Sequence, residues 1–266
     1  MTMEKLKLLK DYIRSKGSAV IAFSGGVDSS FLLKVAHDVL GDNVLAVTAQ
    51  SCTFPEREFA ETVSFTDFYG MKHKIISSDE LEIPEFVENP PHRCYICKKD
   101  LFSKMKMVAK EQNLRHVFEG SNLDDLSDFR PGLKAISELQ ISSPLKEVGL
   151  TKDEIRILSK EMGLNTWDKP SFACLSSRFP YGHKITREKL KMVDAAEQFL
   201  IDLGFKQVRV RHHGETARVE MGEEDFQKLL DPQTRKNVYS KFRQLGFLYS
   251  TLDLMGYRTG SMNEGL

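Results

Sequence analysis

The chain has 266 residues, room for one large domain or for a medium and a small one. Hydrophobic residues make up 41 % and charged residues 29 %, so a packed core is expected rather than a disordered chain. Lys plus Arg, at 38, equals Asp plus Glu, at 38. The basic surplus of proteins that hold a phosphate backbone is absent, which makes nucleic acid an unlikely partner. No stretch approaches the roughly 18 apolar residues of a membrane helix. Residues 1–10 alternate Leu with Lys and Glu and lack the apolar core of a signal peptide, so a cytoplasmic location is expected.

Residues 3–16 read as a helix, with Leu6, Leu8, Leu9 and Ile13 on its apolar face. A short apolar run, Ser18 to Phe23, has the character of a buried parallel strand. A helix from Asp28 to Leu40 stops at Gly41, and a second buried strand spans Val44 to Ala49. Glu56 to Tyr69 is helical, His73 to Ser77 a strand, 94–112 a basic helix and His116 to Glu119 a fourth strand. Strands alternating with helices at this spacing predict an α/β fold with a doubly wound parallel sheet, its ligands at the carboxyl ends of the strands. Lys169 to Gly182 has two prolines and little periodicity, like a functional loop or a junction. Beyond it come a helix from Thr186 to Leu203, strands at Phe205–His212 and Ala217–Met221, helical patterns at 223–231 and 233–245, and a strand at Phe247–Leu254. That order predicts a smaller C-terminal α+β domain. The expected division is 1–178 for the nucleotide-handling domain and 179–266 for substrate binding and oligomerisation.

Between the first strand and its helix stands Ser24-Gly25-Gly26-Val27-Asp28-Ser29-Ser30. Gly25 and Gly26 permit a tight turn and close approach to a ligand. The helix start offers free N–H groups and a positive dipole end, and the serines add hydroxyls, which together form an anion cradle. Asp28 would repel a phosphate, so its role is to meet Mg²⁺ or to orient the loop. The loop lacks the Gly-Lys-Ser/Thr ending of the mononucleotide P-loop. It resembles the Ser-Gly-Gly-x-Asp-Ser loop of the N-type ATP pyrophosphatases, the PP-loop enzymes of the adenine nucleotide alpha hydrolase-like fold. Those enzymes cleave ATP to AMP and pyrophosphate and adenylate a substrate. Ser51, at the end of the second strand, is a candidate adenine contact, although a strand end with no contact is an equal alternative.

The chain has four cysteines, Cys52, Cys94, Cys97 and Cys174. Cys94 and Cys97 carry the two-residue gap that lets two thiolates reach one metal centre, and Cys174 lies in the irregular loop. Three cysteines can hold a [4Fe–4S] cluster with one iron open. Zinc completed by His92 or His183, a redox dithiol, and unliganded thiols are the alternatives. Cys52 reads as a small buried residue.

Further segments carry a closer resemblance. They are Glu119-Gly120-Ser121-Asn122-Leu123-Asp124-Asp125, Asp128-Phe129-Arg130-Pro131-Gly132, Lys169-Pro170-Ser171-Phe172-Ala173-Cys174-Leu175-Ser176-Ser177-Arg178, Val208-Arg209-Val210-Arg211-His212 and Gly256-Tyr257-Arg258. In order and spacing this set is similar to the LarE family, sulfurtransferases that build the nickel-pincer nucleotide cofactor of lactate racemase. The resemblance implies adenylation of the carboxylates of pyridinium-3,5-biscarboxylic acid mononucleotide and their conversion to thiocarboxylates. It implies ATP, Mg²⁺ and, with Cys94, Cys97 and Cys174 all present, a [4Fe–4S] cluster carrying a sulfide. A homo-oligomer is expected; the sulfur donor is unspecified. Ser177, Arg178, Arg209, Arg211 and Arg130 are candidates for the substrate's phosphate and carboxylates. Ser24, Gly25, Gly26, Asp28, Ser29, Ser30, Ser51, Gly120 and Asp124 are candidates for the nucleotide. Arg209 and Arg211 share a strand face, with a solvated outer face as the alternative. Three rival functions are a tRNA thiolase, an amide-forming synthetase and an ATP-sensing regulator.

Overall fold

The computed structural model describes residues 2–127, 131–170 and 173–264. The chain divides into two compact units, residues 1–78 with 92–172, and residues 79–91 with 173–266.

The first unit opens with α1 (Thr2–Lys16), which buries Leu6, Leu9 and Ile13. Then come β1 (Ala19–Ala22), α2 (Val27–Leu40), β2 (Val44–Gln50), α3 (Glu56–Phe68) and β3 (His73–Ser77). A short helix, α4 (Pro84–Val87), lies in the segment that belongs to the second unit. The first unit resumes with α5 (Arg93–Glu111), β4 (His116–Phe118), α6 (Gly132–Glu138), α7 (Pro144–Glu147) and α8 (Lys152–Glu161). The four strands are all parallel, in the order β3-β2-β1-β4. Parallel sheets need both faces covered. Ala19, Ile21 and Ala46 pack with Leu9, Ile13, Phe31, Leu32 and Val35 on one face. Val20 and Val47 pack with Phe102, Met105, Val108 and Ala109 on the other. The chain steps outward from β1 through β2 to β3 and returns to β4 on the far side of β1. The winding therefore reverses between β1 and β4, and a crevice is expected beyond their carboxyl ends.

The second unit contains α4, α9 (Arg187–Asp202), β5 (Val208–His213), β6 (Thr216–Met221), α10 (Phe226–Leu230), α11 (Pro232–Gln244) and β7 (Tyr249–Leu252). Segment 79–91 is tied in by Asn89, whose side chain donates to the Pro180 carbonyl at 2.7 Å and whose carbonyl accepts from Gly182 N–H at 2.9 Å. β5 and β6 form an antiparallel hairpin through Gly214, at φ 65°. β7 joins β6 in parallel, which requires the crossover supplied by α10 and α11. The sequence periods foresee each strand to within a few residues. They do not assign α6, α7 or α8. Of these, α8 carries a capping box between Thr151 and Glu154 that was available to be read. Among the described residues, no helix is long and apolar enough to cross a membrane.

Candidate active site

The Ser24–Ser30 loop follows the carboxyl end of β1, beside Gly120 at the end of β4. Gly25 holds φ +68°, and a Cβ there would lie 3.0 Å from Thr62 Cγ2. The loop is therefore seated on α3 in a conformation that glycine adopts freely. Gly26 caps α2 with extended backbone. Ser29 Oγ lies 3.1 Å from Ser24 Oγ and donates to the Gly26 carbonyl at 3.2 Å, so the two hydroxyls brace the turn. Ser24 is exposed; Ser30 is fully buried, and its Oγ has no hydrogen-bond partner among the described residues. Gly120, after β4, comes so close to α2 that an added Cβ would be 3.2 Å from Ser29 N. Glu119 fixes that approach, with its buried carboxylate accepting from Ser121 Oγ at 2.7 Å and from Ser143 Oγ.

Charged groups converge on the same loop. Lys152, the first residue of α8, places Nζ 2.5 Å from Asp28 Oδ2, and Asn122 Nδ2 donates to Asp28 Oδ1 at 3.3 Å. Lys152 N–H donates to Asp124 Oδ2 at 2.8 Å, and Asp124 N–H donates to Asn122 Oδ1 at 2.9 Å. Asp28 is thus oriented by a cation and an amide. Lys169 Nζ donates to the Gly25 carbonyl at 3.1 Å while pairing with Glu58 at 2.6 Å. Lys152, Asn122 and Lys169 were not singled out as site residues from the sequence. Ser51 forms a local turn, its Oγ accepting from Thr53 N–H at 3.0 Å. Arg130 lies outside the described residues.

Behind the loop, Thr48 Oγ1 donates to the Phe23 carbonyl at 2.8 Å and lies 2.8 Å from His73 Nε2. His73 Nδ1 lies 3.0 Å from Thr66 Oγ1. Burial lowers the His73 pKa below its ordinary 6.5, against a smaller opposing effect of Asp67. A histidine kept neutral in the fold binds its proton later than in the unfolded chain. Its stabilising contribution is therefore whole above about 6.5 and is lost as pH falls towards the lowered value. The melting temperature of wild type should fall more steeply between pH 7 and 5 than that of His73→Gln; parallel profiles would contradict this.

The second unit gathers Ser177, Arg178, Arg209 and Arg211 around two carboxylates, Glu197 and Glu220, that are fully buried. Arg178 is itself fully buried and forks onto Glu197, with Nε and Nη2 donating at 2.8 and 2.9 Å. Burial opposes both charges, but each partner outweighs that cost for the other. The Arg178 pKa is raised and that of Glu197 lowered, so the pair is ionised. Arg211 Nη2 donates to Glu220 Oε2 at 2.6 Å, and Nη1 donates to the Ser177 carbonyl at 3.1 Å. Arg209 is buried on the same strand face, stacked 5.1 Å over the Tyr257 ring. Burial, and next the nearby charge of Arg178, push its pKa down to about 10. Both strand arginines are therefore interior groups. Glu197 is not among the residues singled out from the sequence, although it is the one acid on the buried stripe Leu190, Val193, Ala196, Leu200 of α9, a pattern that could have revealed it.

Cys94 and Cys97 sit three residues apart at the start of α5, exposed and half-buried, on the same side of the helix. Gly132 lets α6 pack against this turn, since a Cβ there would meet the Lys98 stem at 2.6 Å. Cys174 is exposed and belongs to the second unit, at the start of a 3₁₀ turn spanning Leu175–Arg178. Cys52 is half-buried. No cysteine forms a disulfide. Among the described residues, no three His, Cys, Asp or Glu side chains are gathered as a metal site. Two thiols at helical spacing are of a kind that can share one thiolate-bound iron centre.

Residues 1–110 match the family described as NAD synthase. An uncharacterized protein of Synechocystis sp. is 41 % identical over 100 % of this chain and 99 % of its own. Pyridinium-3,5-bisthiocarboxylic acid mononucleotide synthase of Lactiplantibacillus plantarum is 40 % identical over 97 % of this chain and 92 % of its own. The chain belongs to that synthase's family. A more distant likeness, 28 % identity over 70 % of this chain and 65 % of the relative, links it to a glutamine-hydrolyzing GMP synthase chain of Thermoplasma volcanium. Membership of the bisthiocarboxylate synthase family, together with the PP-loop at the end of β1, makes the chain an ATP-using enzyme.

Proposed function

We propose that the protein adenylates the carboxylates of pyridinium-3,5-biscarboxylic acid mononucleotide and converts them to thiocarboxylates, as a step in making the nickel-pincer nucleotide. The observation that carries this is the Ser24–Ser30 loop braced on α3 at the carboxyl end of β1, in a chain 40 % identical to a synthase named for that product. ATP enters as its magnesium complex. Ser24, Gly25, Gly26, Ser29 and Ser30 hold its phosphates, with Asp28, Gly120 and Asp124 around them and Ser51 on the adenine side. A substrate carboxylate oxygen attacks the α-phosphorus and pyrophosphate leaves. The acyl adenylate then has AMP as its leaving group, which a bare carboxylate lacks. Sulfur attacks the carbonyl carbon, the C–O bond to AMP breaks, and a thiocarboxylate remains.

The substrate's own phosphate and second carboxylate call for fixed cations. The Arg209 pKa, lowered first by burial and next by the charge of Arg178, supports that place for an anion, because bound negative charge would offset both effects. Ser177, Arg209 and Arg211 are assigned to it, with Arg130 as a further candidate. Cys94, Cys97 and Cys174 would hold a [4Fe–4S] cluster, which when bound supplies a sulfide and makes the enzyme reusable. Residues 179–266 are assigned to substrate binding and assembly into a homo-oligomer.

Protein purified without oxygen should contain about four irons per chain, lost on Cys94→Ala, Cys97→Ala or Cys174→Ala. With ATP, sulfide and the biscarboxylate nucleotide, mass spectrometry should detect more than one thiocarboxylate per chain. Zinc or free thiols in place of iron would sink the cluster assignment. Product limited to one sulfur per chain, with Cys174 losing its own sulfur, would make the protein a single-use donor. Ammonia incorporation would instead make it an amide synthetase.

A further inference from the structure

Arg178 binds more than its carboxylate partner. Nη1 donates to the carbonyl oxygens of Ala173 at 2.7 Å and Cys174 at 3.2 Å, and to Ser177 Oγ at 2.8 Å. On the far side, Glu197 Oε1 accepts from Val210 N–H of β5 at 2.9 Å. An unbroken line of hydrogen bonds therefore runs from β5 through Glu197 and Arg178 to the backbone on both sides of the Cys174 Cα. Within the turn, Ser177 N–H donates to the Cys174 carbonyl at 3.0 Å, and Arg211 holds the Ser177 carbonyl from the other side.

A fully buried ion pair is a poor way to gain stability, since apolar side chains of similar volume usually do as well. What the pair does that apolar residues cannot is bind three acceptors of one short turn. The guanidinium fork is required for this, because it presents N–H groups on two edges at once, one to Glu197 and one to the turn. A lysine ammonium would reach one of the two. Leu175 and Ser176 anchor the middle of the turn in the interior, but its first residue, Cys174, is exposed, and Arg178 binds the carbonyls on either side of the Cys174 Cα.

We propose that the Arg178–Glu197 pair is a positioning device for Cys174, fixing the 173–178 turn and hence the point from which its sulfur acts. This rests on the assignment of Cys174 to sulfur handling. Arg178 acts through Cys174 and does not touch substrate. Sulfur transfer, not adenylation, is the step that depends on it.

The test compares wild type with Arg178→Lys and with the double variant Arg178→Met, Glu197→Leu, which keeps the volume but removes the tether. Four quantities are read: melting temperature, pyrophosphate release, thiocarboxylate yield and amide hydrogen exchange over 173–178. The double variant should fold, keep pyrophosphate release within a few-fold, and lose thiocarboxylate formation by about 100-fold, the scale of a 1 Å misplacement. Exchange over 173–178 should quicken by about tenfold in the cluster-free protein, as expected when a turn opens locally. Arg178→Lys, which retains the charge facing Glu197, should show the same separation in milder form and stands alone if the double variant does not fold. Wild-type thiocarboxylate formation in a folded variant, unchanged exchange, or equal loss of both half-reactions would each overturn the proposal. Cys174→Ser separates the two levels. If it is inactive while the tether variants are fully active, only the positioning role fails. If it is fully active, the assignment of Cys174 to sulfur handling fails first.

Discussion

Gly25→Ala should lower kcat/KM for pyrophosphate release by about 10²–10³-fold, the effect of losing preorganised donors at a developing charge. Two independent features set this expectation. At φ +68° an alanine is strained by about 1–2 kcal/mol. Its Cβ would also lie 3.0 Å from Thr62 Cγ2, and Thr62 is fully buried on α3 and cannot swing aside. The loop can relieve the contact only by changing its backbone or lifting off α3. Either movement breaks the Lys169 bond to the Gly25 carbonyl and carries Ser24 and the first N–H groups of α2 away from the place proposed for the ATP phosphates. Gly17→Ala supplies the control. Its φ of +76° imposes comparable strain, but nothing lies within 4 Å of the added Cβ. It should lose similar stability and keep full activity. Equal pyrophosphate release by Gly25→Ala and wild type would mean that the loop is not the phosphate cradle.

The parts legible in the sequence were those fixed by local chemistry. Ser24–Ser30 is contiguous, so its glycines, its serines and the strand and helix around it could be read together. The strands of the first unit are short apolar runs bounded by turn residues, and a parallel sheet buried on both faces produces such runs. Thr186 was readable as a cap because the bond it makes, accepting from Lys189 N–H at 3.3 Å, spans three residues. What escaped is held by contacts distant in sequence. Lys152 meets Asp28 across 124 residues, and Lys169 meets Gly25 across 144. No spacing rule reports such pairs, and a lysine at the first position of a helix is ordinary on any surface.

The arginines of the second unit show a different limit. Alternation along β5 placed Arg209 and Arg211 on one face but could not decide whether that face was wet. The answer lies on β6, where Glu220 stands opposite Arg209 in register and receives Arg211 and Arg218 on its two oxygens. Hydropathy treats all of these as surface residues. Only mutual neutralisation lets them be interior, and that depends on partners which the hairpin and α9 bring together. The same reasoning separates Arg178, enclosed by Glu197 and the Cys174 turn, from Arg209, whose pKa burial and Arg178 depress. In sequence the two were alike; in the fold one serves the turn, and the other is the better candidate for an anion.

Lys152→Ala should lower kcat/KM for pyrophosphate release by about 10²–10³-fold with the fold intact, again the scale of removing one electrostatic partner of the reacting group. Lys152 has two effects at the head of α2. It is a cation beside the loop, and at 2.5 Å it neutralises Asp28, a carboxylate at the same helix start. Removing it deletes an attraction for the triphosphate and exposes a repulsion. Both side chains are partly open to solvent, so the effect should diminish as salt rises. Lys152→Arg keeps the charge and should stay within about tenfold of wild type, because a half-buried point charge with solvent on one side does not demand ammonium geometry. The sharper test is a cycle with Asp28→Asn. If Lys152 acts partly by restraining Asp28, the asparagine substitution must cost less in the Lys152→Ala background than in wild type, with a coupling of about 0.5–3 kcal/mol. Strictly additive losses would mean that the two residues serve ATP independently, and that their pairing plays no part in catalysis.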